Sequence, residues 1–303
     1  MKVADWIKKN THSLCGKSVA ISGATGGIGK ELCRHFAALG VKRIVMLNRN
    51  EKKTVAFEDE LRADFPSLVT EHLTVDMENM DGVRSVADRL CEDGQIDYLV
   101  LNAGAYSIPR HKCSTGYDNV FQINFVSPYY LALRLLPSIK DRGGKVIAVA
   151  SIAHGYSRTN MNDIDFSNVK KASKVYGNAK RFLMYSLWGL EEYLDNIVIA
   201  HPGITFTDIT AHYPKVIFAI IKYPMKVIFM KPQKAALSIL FGAFSTCAKN
   251  EWIGPRLFDV WGFPKKKLLR SATPTEASDI CKCAEGLVES GFCASGGKLS
   301  EKV

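Results

Sequence analysis

Long apolar runs are missing from this 303-residue chain. No stretch reaches eighteen uninterrupted apolar residues, the least a membrane-crossing helix needs, and residues 1–17 lack the apolar block of a secretory signal. The expected location is therefore the cytoplasm. Metal-ligand spacings are scarce too. None of the seven histidines forms an HxxxH pair. Of the eight cysteines, only Cys281, Cys283 and Cys293 cluster, without a second CxxC or CxxH partner. No metal site is expected, and scattered thiols suit a reducing compartment. Concentrated charge is also wanting. The formal charge is +10, yet apart from Lys265, Lys266 and Lys267 the basic residues are dispersed. No segment resembles a recognition helix or an RNA-binding aromatic platform, so nucleic acid is not an expected partner.

What the chain does have is enough apolar content for a sizeable core, 47% hydrophobic against 23% charged. Short β-rich runs recur at Ser18–Ser22, Ile44–Leu47, Val69–Val75, Tyr98–Leu101, Lys145–Ala150 and Ile197–Ala200. Stretches with apolar residues three to four apart separate them, near 27–39, 51–64, 79–91, 114–136 and 172–193. Strands alternating with helices predict an α/β fold, a doubly wound parallel sheet of the Rossmann type with helices on both faces. After residue 202 the alternation fails, leaving a helix near 233–247 and a short run at Arg256–Val260. The expected organisation is one domain over 1–303. Its core would span about 14–262, with a substrate-covering or membrane-facing segment at 208–232 and a C-terminal extension at 263–303.

Directly after the first strand comes SGATGGIGKELCRHF, which places Gly23, Gly27 and Gly29 at a tight turn opening a helix. Glycine lets backbone approach a pyrophosphate, and a helix N-terminus offers unpaired N–H groups and a favourable dipole. Asn48-Arg49-Asn50-Glu51 follows the second strand. An acidic residue there would accept from an adenosine ribose 2′-hydroxyl, and it is missing; Arg49 could instead pair with a 2′-phosphate. NADP(H) is therefore expected over NAD(H). Farther on, Tyr176 and Lys180 stand four apart in a helical run, on one face. That spacing sets a proton donor beside a cation.

The spacing Gly-x-x-x-Gly-x-Gly, the Asn102-Ala103-Gly104 turn and the Tyr176/Lys180 pair together resemble the short-chain dehydrogenase/reductase family. The 25-residue gap from Ser151 to Tyr176, the Asn48-Arg49-Asn50 segment and His201-Pro202-Gly203 resemble its retinol-dehydrogenase-like branch. The resemblance covers residues 23 to 207. It implies a catalytic set of Asn124, Ser151, Tyr176 and Lys180. Tyr176 would exchange the proton, Ser151 orient the substrate oxygen, and Lys180 hold the nicotinamide ribose and lower the tyrosine pKa. Asn124 would position a relay water. The implied cofactor contacts are Gly23, Thr25, Gly27, Ile28, Gly29, Asn48, Arg49, Asp76, Met77, Asn102, Ala103, Gly104, Tyr176, Lys180, Pro202, Gly203, Thr205 and Thr207. Ala179 departs from the family, where serine commonly precedes the lysine. Ser151, His154 and Tyr176 are candidate substrate contacts, and Tyr156 could also line the entrance.

The resulting expectation is an NADP(H)-dependent oxidoreductase interconverting an alcohol and a ketone or aldehyde on an apolar substrate such as a retinoid, steroid or lipid. The alternatives are a non-catalytic NADP(H)-binding sensor or scaffold, and a sugar-nucleotide epimerase or dehydratase; the latter's longer C-terminal domain is not evident. Residues 212–231 are too apolar for an ordinary solvated loop, and Pro214 and Pro224 cut them into pieces too short to span a bilayer. Two amphipathic helices fit there. They could cover an apolar substrate, contact a membrane peripherally, or join a homodimer.

Overall fold

The computed structural model describes residues 1–205, 229–269 and 273–294. In chain order the elements are α1 (Val3–Asn10), β1 (Ser18–Ser22), α2 (Gly27–Ala38), β2 (Arg43–Asn48), α3 (Glu51–Asp64), β3 (Val69–Thr74), α4 (Met80–Asp93) and β4 (Tyr98–Leu101). A short turn of helix, α5 (Asn119–Phe121), runs through a π-turn (Gln122–Val126) into α6 (Ser127–Asp141). There follow β5 (Lys145–Val149), a 3-10 turn (Ile152–Tyr156), α7 (Ala172–Gly189), a second 3-10 turn (Glu191–Asn196) and β6 (Ile197–Ala200). Helix α8 (Pro232–Gly242), strands β7 (Glu251–Leu257) and β8 (Trp261–Leu268) and helix α9 (Pro274–Ala294) complete the described chain.

The eight strands form one sheet in the order β3-β2-β1-β4-β5-β6-β7-β8, parallel except for β8, which returns antiparallel along β7. Strands β1, β4 and β6 are buried at every position, as expected of parallel strands covered on both faces. Side chains alternate between two cores. Ala20, Val146, Ala148, Ile197 and Ile199 face the layer of α4, α6, α7 and α9. Val19, Ile21, Ile147, Val149, Val198 and Ala200 face α1, α2, α3 and α8. Local chemistry starts the helices. Asn50 Oδ1 accepts from Lys53 N and caps α3, and Asn79 Oδ1 accepts from Asp81 N and Gly82 N to cap α4.

The described residues before 14 and after 262 join the core more fully than the 14–262 boundary implies. Trp6 of α1 is buried in a T-shaped contact with Phe241 of α8. The expected strand at 256–260 begins earlier, at Glu251, and residues 258–260 turn the β7–β8 hairpin. Strand β8 then carries the sheet to Leu268, and α9 buries Ile280, Ala284 and Val288 against the α6–α7 layer. Residues 263–268 and 274–294 are thus a sheet edge and a core helix rather than an appendage. The covering segment expected at 208–232 lies outside the described residues except for 229–232.

Candidate active site

The strand order reverses between β1 and β4, so the chain leaves their C-terminal ends in opposite directions and opens a crevice there. A cavity of about 770 Å³ fills that crevice and continues past the ends of β5 and β6. Every cofactor residue named above lines it except Thr207, which lies outside the described residues.

At one end, backbone makes the wall. Helix α2 starts so close to the preceding turn that a Cβ on Gly29 would sit 2.2 Å from the Gly23 carbonyl oxygen. Asn102 braces the same turn, its Nδ2 donating to the carbonyls of Ser22 and Gly23 at 3.0 and 3.1 Å. Asn48 is buried, and its Oδ1 accepts from Thr25 N, while its Nδ2 on the cavity wall has no partner within the described chain. Beyond it the Arg49 side chain, 71% exposed, lies 3.7 Å from Asp76 Oδ2. Lys53, one turn into α3, also lines the cavity. Its position near Arg49 is set by the Asn50 cap, a signal the residue pattern carried but did not single out.

Side chains shape the other end. Tyr176 and Lys180 project from α7 toward Ser151, which follows β5. Gly177 lets α7 abut the 3-10 turn, since a Cβ there would lie 2.0 Å from the Ala153 carbonyl oxygen. Burial pushes the Tyr176 phenol up to about 12, against a lowering hydrogen bond from Ser151. Lys180 Nζ is buried, donates to the Val149 carbonyl at 2.8 Å, and is 5.7 Å from the Tyr176 ring centre. Burial brings it down to about 7. Burial outweighs the Ser151 hydrogen bond and favours the protonated phenol. Tyr106, not anticipated from sequence, packs edge-on against Tyr176 at 5.4 Å and lines the cavity.

Asn124 lies fully buried on the π-turn, behind the cavity wall. Its Nδ2 donates to the carbonyls of Ala105 and Val120, and its Oδ1 accepts from Ala105 N. A Cβ on Gly104 would lie 2.8 Å from that Oδ1 and 3.6 Å from Lys180 Nζ. The side chain thus fastens the β4 loop beside the lysine.

His154 needs correcting as a substrate contact. It is buried outside the cavity lining, with Nδ1 2.7 Å from the Ser151 carbonyl and its ring edge-on to Trp252. Tyr156, 52% exposed, lines the mouth instead. His201 stacks on Trp252 at 5.2 Å, with Nε2 2.9 Å from the Asp259 carbonyl and Nδ1 3.3 Å from the Ala150 carbonyl, and its single proton in the neutral ring goes to one of the two. The carbonyls of Val149 and Ser151, on either side of Ala150, thus meet Lys180 and His154. That grip fixes the backbone presenting the Ser151 hydroxyl. Burial holds His201 down to about 4 and lowers His154 as well, so both rings are neutral near pH 7.

Glu78, His111 and Cys113 bring potential ligand atoms within 4.8 Å of one another. Asn119 Nδ2 donates to the Pro109 carbonyl at 3.1 Å and faces His111 Nδ1 at 3.2 Å, which assigns that nitrogen as acceptor. The proton then sits on Nε2, 2.8 Å from Glu78 Oε2. Both ring nitrogens of His111 are thus engaged, between Asn119 and Glu78.

The short chain dehydrogenase profile matches residues 17–213, well over half of the chain. The chain belongs to the short-chain dehydrogenase family. It is 31% identical over 158 residues to the short chain dehydrogenase resG of Aspergillus sclerotiorum, a match covering 48% of this chain and 44% of that protein. It thus spans less than half the length of that relative. Polyprenol dehydrogenase of Mus musculus is 25% identical over 240 residues, covering 75% of this chain and 71% of the relative. Retinol dehydrogenase 12 of Mus musculus is 28% identical over 201 residues, covering 64% and 63%. Among solved structures, a Mycobacterium paratuberculosis protein superposes over 99% of both chains with a TM-score of 0.71 at 20% identity. A Sphingobium yanoikuyae short-chain dehydrogenase in complex with NADPH superposes over 75% of this chain and 83% of its own, with a TM-score of 0.59 at 23% identity. At these identities both establish the family fold. No helix among the described residues is long and apolar enough to cross a membrane.

Proposed function

We propose that this short-chain dehydrogenase is an NADP(H)-dependent oxidoreductase that interconverts an alcohol with a ketone or aldehyde on an apolar substrate. The carrying observation is one continuous cavity with the glycine turn and Arg49 at one end and Ser151, Tyr176 and Lys180 at the other. A dinucleotide fits this wall. The close approach at Gly29 leaves room for a pyrophosphate at the α2 N-terminus, and the buried Asn48 Nδ2 needs an acceptor. Arg49 and Lys53 are the cations within reach of a 2′-phosphate.

A bound nicotinamide would supply or accept the hydride. In reduction, Ser151 holds the substrate carbonyl oxygen and Tyr176 gives that oxygen its phenolic proton as the carbonyl carbon gains hydride. The oxygen leaves as a neutral hydroxyl, and oxidation runs the same transfers backwards. Lys180, fixed by the Val149 carbonyl, offers a donor to the cofactor ribose beside the phenol. Asn124 and His154 act on position, through the Ala105 and Ser151 backbone. An apolar substrate is supported by Ile152, Tyr156, Ile204 and Phe229 on the lining, and by relatives named for retinol and polyprenol. Cover by 212–231, membrane contact through it, and dimerisation concern residues outside the described set apart from 229–231.

The test is NADPH oxidation with a panel of ketones and aldehydes, including retinoid, steroid and polyprenyl carbonyls, beside NADH and a Tyr176→Phe control. Turnover of an apolar carbonyl that is lost in the control supports the reading. Tight NADPH binding with no turnover of any carbonyl, or of any alcohol with NADP⁺, would favour the sensor instead.

A further inference from the structure

Arg181 follows the candidate catalytic lysine directly, yet it turns away from the cavity. Its side chain is only 3% exposed and meets Glu276, near the start of α9, through two parallel bonds. Nε donates to Oε1 at 2.8 Å and the second terminal nitrogen to Oε2 at 2.7 Å. The remaining terminal nitrogen donates to the His154 carbonyl at 2.7 Å. Glu276 Oε1 also accepts from Thr159 N at 2.8 Å. One bidentate pair therefore holds both ends of residues 154–159, and Tyr156 stands between those ends on the cavity mouth. A buried ion pair is costly to assemble unless its remaining donors and acceptors are satisfied. Here they are satisfied by the backbone of this loop.

Resting on the oxidoreductase reading above, we propose that Glu276 is a positioning residue for the substrate. Through Arg181 it fixes residues 154–159 and so the place of the Tyr156 ring, which makes α9 part of the substrate side of the site. The cofactor side is left alone, because neither Arg181 nor Glu276 lines the cavity. Loosening the pair should therefore weaken the hold on a carbonyl substrate and spare NADPH.

The test uses the full chain with Glu276→Gln, and with the double replacement Arg181→Met/Glu276→Met, which removes both charges so that neither is left buried alone. KM for the best apolar carbonyl should rise about tenfold, with kcat and the NADPH Kd within about twofold of the original. Amide exchange at Thr159 should quicken selectively. In a Tyr156→Ala background the same changes should move KM by less than about twofold, since the ring they position is gone. An equal rise in KM and NADPH Kd with a general gain in exchange would overturn the proposal in favour of a purely structural pair. An additive effect in the Tyr156→Ala background, or unchanged exchange at Thr159, would also overturn it. If the original protein reduces no carbonyl, the oxidoreductase reading fails, while selective exchange at Thr159 still decides whether Glu276 holds the loop.

Discussion

The two ends of the cavity are built by different means. At the glycine turn, the wall is main chain, with β1, the turn and α2 pressed so closely that Gly29 has no room for a methyl. At the Tyr176 end, the wall is loop held by paired side chains. Arg110 joins Asp118 to the carbonyls of Phe166 and Val169, Lys112 pairs with Asp165, and Arg181 pairs with Glu276. A backbone cradle suits a ligand whose phosphates never vary. A loop fastened by side chains can be refitted to another substrate while the sheet stays unchanged.

The largest effect should fall on chemistry at the side-chain end alone. Tyr176→Phe removes the transferable proton and keeps the ring that packs on Tyr106. Turnover should drop about 10²–10⁴-fold with folding and NADPH affinity retained. A variant keeping more than a tenth of its turnover would strip Tyr176 of the role. Lys180→Ala should weaken both turnover and NADPH binding, because the ammonium sits where phenol and ribose would meet.

A matched pair of glycine substitutions tests the division itself. Gly29→Ala sets a methyl 2.2 Å from the Gly23 carbonyl, and Gly177→Ala sets one 2.0 Å from the Ala153 carbonyl. Both force main chain apart, but at opposite ends. The first should raise the NADPH Kd by about a hundredfold. The second should cost turnover on the order of a hundredfold by displacing the Ser151 turn from Tyr176, and leave NADPH affinity nearly intact. If Gly177→Ala damages cofactor binding equally, the two ends are mechanically one unit.

The same division explains what sequence could disclose. Strands β1, β4 and β6 and helix α3 fall where the apolar patterns put them, because continuous burial and helical spacing are local properties. The glycine turn, Tyr176 and Lys180 were legible for a similar reason, as their spacing is short and fixed. Arg181 and Glu276 stand 95 residues apart, and no local pattern links them. His154 looked like a loop residue because it lies between the β5 run and the helical spacing of α7, whereas Trp252, almost a hundred residues later, packs against its ring. The C-terminal strand and helix were underestimated because Lys265, Lys266 and Lys267 disguise a sheet edge, where charge is a common guard against further pairing.

A smaller effect should come from the exposed rim of the backbone end. Arg49→Asp removes one cation from the expected 2′-phosphate position and sets a second carboxylate near Asp76, now 3.7 Å from the guanidinium. NADPH affinity should fall about ten- to a hundredfold, the range for losing one charged hydrogen-bonded contact. NADH affinity should hold or improve. Lys53 remains to limit the loss, so the double variant should exceed the single one. If NADH already binds the unmodified protein better, the cofactor preference is wrong.

The smallest effect concerns acid, and it again separates the ends. Burial holds His201 at about 4 and lowers His154 at the side-chain end, while His35 is similarly lowered under α2. A histidine whose folded pKa is depressed favours the neutral ring. Above the unfolded value, about 6.5, neither state is protonated and the linkage is silent. As pH falls below 6.5 the unfolded chain takes up protons that the folded chain refuses, so stability declines until the folded rings also titrate. For His201 that decline continues to about 4. Each such proton steepens the loss by up to about 1.4 kcal/mol per pH unit. The lowered carboxylates Asp93, Asp97, Asp165 and Glu276 act with the same sign, but mainly below their ordinary range near 4. Between pH 6.5 and 5 the slope therefore belongs chiefly to histidine. Denaturant titrations of the original protein and of His201→Gln across that window should show a shallower slope in the variant. Amide exchange should show the acid-dependent opening first around residues 150–159, where two of the three buried rings pack. A slope unchanged by His201→Gln, or first opening around α2, would place the acid-sensitive point under the backbone end and reverse the comparison.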